Sequence, residues 1–271
     1  MSVWRDGDWI VGGDALPADD RGLTLGDGLF ETLLAKDGRL IHPGLHFRRL
    51  TGSAAALGLP PPPDAERLED IAVQAVARSG LEQGRAAVRM TLTAGSSDRG
   101  LARAPHAAPR ILITASRAPE AGTPVRVVTV DVRRNPASPS SRHKTLSYID
   151  NVMALREAQA LGADEALLLN IHGRPTCAAA ANIILLVDGE MVTPALSEGV
   201  LAGTTRERLL GAVPDLAARP VSPTEALRAS GLVLTNALRG VRPALAWDGR
   251  ALPDSTSLAQ RLRSALEDDA R

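Results

Sequence analysis

The chain's single tyrosine, Tyr148, follows Lys144 by four residues in the segment Ser141-Arg142-His143-Lys144-Thr145-Leu146-Ser147-Tyr148-Ile149-Asp150-Asn151. A Pro/Ser-rich stretch, residues 135–141, leads into this segment, and a helix pattern leaves it. An amine at such a junction is held by the scaffold yet open on one side. That suits covalent chemistry in which a lysine nitrogen condenses with an aldehyde and must be fixed in direction. The competing reading is a solvated surface lysine, which is what most lysines are.

Four further segments bear on that chemistry. Gly199-Val200-Leu201-Ala202-Gly203-Thr204-Thr205-Arg206-Glu207 is a glycine turn running into a helix. Backbone N–H groups, the positive end of a helix dipole and two hydroxyls would meet there, which is a phosphate cradle in physical terms. An ordinary capped helix reads the same way. No Walker-type lysine follows, which argues against a nucleoside triphosphate. His46-Phe47-Arg48-Arg49-Leu50 puts two arginines on a helix, and one could grip a phosphate with a bidentate contact or both could be solvated. Thr93-Ala94-Gly95-Ser96-Ser97-Asp98-Arg99-Gly100 is a polar loop from which Arg99 could clamp a carboxylate, or decorate the surface. Gly173-Arg174-Pro175-Thr176-Cys177-Ala178-Ala179-Ala180-Ala181-Asn182 joins two strands through small residues, which permit close approach of a ligand or tight strand packing.

The elements that position these residues are mixed. Trp4-Arg5-Asp6-Gly7-Asp8-Trp9 reads as a hairpin with Asp6-Gly7 as its turn. Strands are expected at 28–35, 86–93 and 110–115, and helices at 43–58 and 65–79, the second with Asp64 as N-cap. A proline- and glycine-containing stretch without periodicity, 117–124, is expected to link a domain 1–116 to a domain 125–271 that carries Lys144. Beyond it come a strand at 125–132 and a helix at 148–161, for which Ser147 and Asp150 form a capping-box-like start. Strands at 166–171, 181–187, 190–193 and 232–235 and helices at 205–213 and 256–268 complete the pattern. Strands reached through hairpins point to an α+β fold rather than a doubly wound parallel sheet.

Composition narrows the function classes. The 271 residues suffice for two modest domains, and with aromatics at 2% the core must be aliphatic. Lys+Arg and Asp+Glu are equal at 31 each, so no global field favours nucleic acid or an anionic membrane. One cysteine suits a reducing compartment. Arg5, Asp6 and Asp8 argue against a signal peptide, and the apolar run 183–187 is far too short to span a bilayer. A cytoplasmic globular protein without a metal site is expected.

Together these segments resemble the fold-type IV pyridoxal-phosphate enzymes of the class IV aminotransferase family, which include branched-chain and D-amino acid aminotransferases and aminodeoxychorismate lyase. Arg21-Gly22-Leu23-Thr24-Leu25-Gly26-Asp27-Gly28-Leu29-Phe30-Glu31-Thr32 is similar to the family's N-terminal strand signature, and residues 163–170 to the strand before its cofactor-binding turn. The resemblance implies a two-domain α+β fold of the D-amino acid aminotransferase type, a homodimer and bound pyridoxal 5'-phosphate. It implies Lys144 as the covalent lysine, Arg49 rather than Arg48 as the phosphate arginine, and Leu201 packed on the pyridine ring. Thr204, Thr205 and Asn236 would hold the phosphate, and Arg99, Phe30 and Tyr148 would line the site of a small amino substrate.

Within the family, Arg133-Arg134-Asn135-Pro136 with His143-Lys144, Asp98-Arg99-Gly100 and Thr235-Asn236-Ala237-Leu238 resemble aminodeoxychorismate lyase. Phe30 and Leu101 stand where the D-transaminase branch has a tyrosine and a histidine. One position departs from the family. Cys177 occupies the place of a glutamate that keeps the cofactor's pyridine nitrogen protonated. A carboxylate stabilises a pyridinium, whereas a neutral thiol is a weak donor and cannot do so by charge. The substitution leans towards elimination, or towards weak activity. The implied reaction is conversion of 4-amino-4-deoxychorismate to 4-aminobenzoate and pyruvate, for folate synthesis. The alternatives are an aminotransferase and a catalytically silent cofactor-binding homologue.

Overall fold

The hairpin at the N-terminus forms at its expected turn. Asp6 and Gly7 both take positive φ, 53° and 126°, and Trp4 pairs with Trp9 across the two strands. The computed structural model describes residues 2–11, 15–104 and 107–268. It divides into two units: Met1–Pro119 with His143–Ser147, and Glu120–Arg142 with Tyr148–Arg271.

The first unit contains β1 (Ser2–Arg5), β2 (Asp8–Val11), α1 (Arg21–Thr24), β3 (Gly28–Lys36), β4 (Arg39–Leu40), α2 (Pro43–Ala56), α3 (Ala65–Arg78), β5 (Arg85–Thr93) and β6 (Arg110–Arg117). Its strands form one antiparallel sheet in the order β2-β1-β6-β5-β3-β4. Helices α2 and α3 pack an aliphatic core on this sheet, with Phe47, Leu50, Leu68 and Val76 against Leu29, Leu33, Val88 and Ile113. α3 begins as expected, since Asp64 accepts from the Arg67 N–H.

The second unit contains β7 (Val125–Arg134), α4 (Pro139–Arg142), α5 (Ile149–Ala160), β8 (Glu165–Asn170), β9 (Pro175–Ala178), β10 (Asn182–Val187), β11 (Glu190–Thr193), α6 (Thr204–Ala212), β12 (Leu216–Ala218), α7 (Pro223–Leu227), β13 (Ala229–Asn236), β14 (Gly240–Trp247), β15 (Arg250–Ala251) and α8 (Ser255–Asp268). Strands β10, β13, β14, β7, β8 and β9 pair in that order, and β9 pairs back onto β10, so the sheet closes into a barrel. All of these strands contribute to one aliphatic cluster, through Val127, Leu167, Ala178, Ile183, Leu185, Leu234 and Ala244 among others. Alternate residues of β10 and β13, Ile184 and Val233, pack outward under Leu258 and Leu262 of α8. A strand buried on both faces reads as an unbroken apolar run, and this is the origin of residues 183–187.

Two expectations need correction, and one strand, β14, had not been expected. First, Lys144 groups with the first unit, not with the domain that flanks it in sequence. The Phe30 N–H donates to the Lys144 carbonyl at 2.9 Å and the Leu146 N–H to the Gly28 carbonyl at 3.0 Å, so the segment is stitched alongside β3. Second, no capping box opens α5. Tyr148 is its N-cap without a side-chain cap bond, and the Ser147 hydroxyl donates to the Gly26 carbonyl instead. β14 itself was not legible. Pro243 interrupts its pattern, and the strand tolerates it because β7 pairs only from Ala244 onward.

Among the described residues no helix is long and apolar enough to cross a membrane.

Candidate active site

In the first unit, Lys144 is built onto β3. Its Nζ lies 4.0 Å from the centroid of the Phe30 ring, and the Arg89 guanidinium carbon lies 3.9 Å from the same centroid. Phe30 is buried, so one aromatic ring positions two cations. Arg89 sits in no motif, and only the pairing of Phe30 with Thr91 on β5 brings its strand alongside.

Glu31, the next residue of β3, points to the opposite face. Its carboxylate is buried and accepts from Arg49 Nε at 2.7 Å, Arg49 Nη2 at 2.6 Å and His46 Nδ1 at 2.7 Å. Burial pushes the Glu31 pKa up, but the Arg49 and His46 hydrogen bonds outweigh it and hold the carboxyl at about 2. His46, Arg49 and Ser53 share one face of α2, and Ser53 Oγ meets His143 Nδ1 at 3.0 Å. Arg49 is therefore fixed in plane and direction, whereas Arg48 is exposed.

Arg99 lies elsewhere in this unit. The loop that carries it is clamped by Arg21, which donates to the carbonyls of Gly100, Leu101 and Ala102 at 3.2, 2.8 and 3.2 Å. Asp27 ties Arg21 Nε at 2.8 Å and Arg103 Nη2 at 2.6 Å to the same loop. Arg99 itself is exposed. Nothing described brings it to Lys144 or Phe30.

In the second unit, Asn182 organises the turn before α6. Its Nδ2 donates to the Leu201 carbonyl at 2.9 Å, and its Oδ1 fills the space where a Cβ on Gly203 would sit, 1.8 Å away. Only glycine allows this approach. Gly203 is the N-cap of α6 and offers no side-chain cap, and Thr204 and Thr205, both buried, open the helix. Across the sheet Asn182 pairs with Thr235, whose buried hydroxyl has no hydrogen-bond partner. Asn236 follows, donating to the Ala180 carbonyl at 3.0 Å and accepting from the Arg239 N–H at 2.7 Å. The turn 201–205 and Asn236 are thus brought together around Asn182, whose only signal in the sequence was its place at the end of a small-residue run.

Cys177 is buried in β9, beside a Thr176 hydroxyl that donates to the Leu168 carbonyl at 2.8 Å. Its Cα partners are Leu168 and Asn182. Arg134, buried at the end of β7, interacts with the thiol and, electrostatically, with Tyr148 and Asp150 at the head of α5. The chain therefore carries a positioned lysine with an oriented arginine in one unit. In the other it carries a helix start flanked by hydroxyls and a thiol beside a buried cation. Among the described residues no cluster of three or more His, Cys, Asp or Glu side chains could hold a metal ion.

Comparison with known proteins shows the family. Residues 28–247 match the family model for amino-transferase class IV. The chain is 28% identical to a Methanocaldococcus jannaschii protein named "Putative branched-chain-amino-acid aminotransferase", over 99% of this chain and 96% of that one. It is also 28% identical to a bifunctional aminodeoxychorismate lyase / D-amino acid transaminase of Mycobacterium tuberculosis, over 93% of each. A solved structure, a hypothetical aminotransferase from Mycobacterium tuberculosis in its PLP-bound form, superposes with a TM-score of 0.85 at 26% identity, covering 99% of this chain and 98% of that one.

Proposed function

Given that this chain belongs to the amino-transferase class IV family and is a pyridoxal-phosphate-dependent enzyme, we propose that it is a lyase converting 4-amino-4-deoxychorismate to 4-aminobenzoate and pyruvate. The residues present suit the cofactor. Arg49, held in a fixed plane by Glu31, supplies a guanidinium for the phosphate. The start of α6, with Thr204 and Thr205 and the nearby Asn236, supplies N–H and hydroxyl donors, and Gly203 brings no side-chain cap to compete for them. The unpartnered Thr235 hydroxyl is a further donor. Leu201 offers an apolar side chain to the ring. When bound, the cofactor supplies an aldehyde carbon for an imine and an electron-withdrawing ring.

Lys144 would hold the cofactor through Nζ, and that amine would be free once substrate occupies the site. The freed Nζ then removes the proton from the carbon bearing the amine and delivers a proton to the departing enolpyruvyl group. Phe30 fixes the approach of Nζ. Tyr148 lines the site, while Arg99, exposed and apart from Lys144, takes no step in it.

The observation that carries the lyase reading is Cys177: a buried thiol in β9, where the resemblance leads one to expect a carboxylate. A weaker electron sink disfavours amino transfer more than elimination. The aminotransferase reading is favoured by a different observation, the Arg89 guanidinium on the same ring as Lys144, which could receive an amino-acid carboxylate. The test is turnover of purified enzyme with aminodeoxychorismate, following 4-aminobenzoate and pyruvate, beside transfer assays from D- and L-amino acids to 2-oxo acids. Formation of 4-aminobenzoate supports the proposal; amino transfer without it overturns the proposal. A place in folate synthesis in the cytoplasm and a homodimeric assembly belong to the same proposal, and sedimentation tests the assembly.

A further inference from the structure

Arg134 is buried without an ion pair. Among the described residues no carboxylate contacts it, and its Nε has no hydrogen-bond partner. Other buried arginines are compensated. Arg21 is paired with Asp27 and three carbonyls, and Arg206 donates to Thr193 Oγ1 at 3.1 Å and the Pro194 carbonyl at 3.0 Å. A buried charge with an unused donor is costly in a protein that gives it nothing to bind.

Sheet register shows what it faces. Arg134 pairs with Asn170 of β8, and Leu168, two residues back on that strand, pairs with Cys177 of β9. Side chains two apart on a strand, and directly opposed across strands, share a face, so Arg134 and Cys177 point to the same side. The titratable groups around the guanidinium are Cys177 from β9 and Tyr148 and Asp150 from the head of α5. Burial works against its charge, the Cys177 side chain hydrogen-bonds to it, and a guanidinium stays protonated throughout the working pH range.

We propose that Arg134 donates its Nε–H to the lone pair of the cofactor's ring nitrogen and so holds that nitrogen unprotonated. This rests on the placement of Cys177 at that nitrogen under the reading above. An arginine cannot release its proton, so in such a contact the nitrogen must be the acceptor. A nearby positive charge also disfavours adding a second one to the ring. A carboxylate at position 177 would neutralise Arg134 and turn the balance round; a thiol leaves the guanidinium to act on the ring. Cys177 and Arg134 therefore work as a pair, in which the small neutral residue lets the charged one set the ring's protonation.

The experiment is ¹⁵N NMR of holoenzyme reconstituted with ring-¹⁵N cofactor, recorded against pH, because the ring nitrogen's resonance reports protonation directly. Borohydride reduction and peptide mapping, run in parallel, locate the adduct independently. The parent is expected to show the free-base resonance. Arg134→Gln and Arg134→Met should raise the nitrogen's titration midpoint by about one to three units, and Cys177→Glu should give the pyridinium resonance. Circular dichroism confirms folding, and the glutamine variant, which keeps a polar side chain of similar length, decides if the methionine variant does not fold. A pyridinium resonance in the parent, or an unmoved midpoint in the Arg134 variants, overturns the proposal. If Cys177→Glu shifts the signal while the Arg134 variants do not, only the role of Arg134 fails. If no variant shifts it although the adduct maps to Lys144, the placement of Cys177 fails as well.

Discussion

Arg48 and Arg49 are neighbours in sequence but not in environment. Arg49 donates two hydrogen bonds to the buried Glu31 carboxylate, while Arg48 is exposed on α2. Arg49→Ala should lower cofactor affinity by about 2–4 kcal/mol, since a charge-assisted contact is lost. It should also lower the thermal midpoint, because Glu31 is left buried with one partner fewer. Arg48→Ala should change neither. Cofactor titration with thermal unfolding checks both variants, and equal effects would show that the motif is read one residue out of register. Lys144 is open to an equally direct check. Borohydride should trap a pyridoxyl adduct on Lys144, and an adduct on Lys36 would end the assignment.

At the scale of elements, β3 does two jobs through the period of a strand. Phe30 faces Lys144 and Arg89, and Glu31 on the other side grips α2. The turn before α6 is the matching device in the second unit. Gly203→Ala would thrust a methyl group onto the Asn182 amide, which must then release the Leu201 carbonyl. We expect a loss of about 1–3 kcal/mol in cofactor affinity, read by spectral titration, with the barrel intact. Much of this layout was legible. The Asp6-Gly7 turn, the Asp64 cap, the apolar run 183–187 and the glycine turn at 199–203 all carry local signals. Glu31, Arg89, Arg134 and Asn182 were not legible as a site, because their meaning comes from pairing across strands far apart in sequence. Lys144 was legible as a residue but misplaced as a location, since two backbone hydrogen bonds to β3 outweigh its position in the chain.

At the scale of the molecule, charge and closure matter most. With a formal net charge of +0 at pH 7, solubility at low salt should be lowest near neutrality and rise on either side, as light scattering against pH will show. Among the described residues, Glu31 is a buried source of acid stability. The Glu31 pKa is depressed from 4.5 to about 2, so its contribution is complete above pH 4.5 and is lost as pH falls towards 2. That contribution is on the order of 3 kcal/mol, and Glu31→Gln should flatten the acid limb of denaturation relative to the parent. The barrel, finally, is unevenly sewn. β10 joins β13 through pairs running from Asn182 to Val187, but pairs with β9 at Asn182 and Cys177, where the Ala178 N–H also donates to the Ala181 carbonyl at 2.8 Å across the turn. A ring with one thin joint breathes there first. Amide hydrogens of residues 177–182 should therefore exchange with solvent sooner than those of β13, and slow markedly when the cofactor binds. Native-state exchange would read the cofactor as the clasp on that joint.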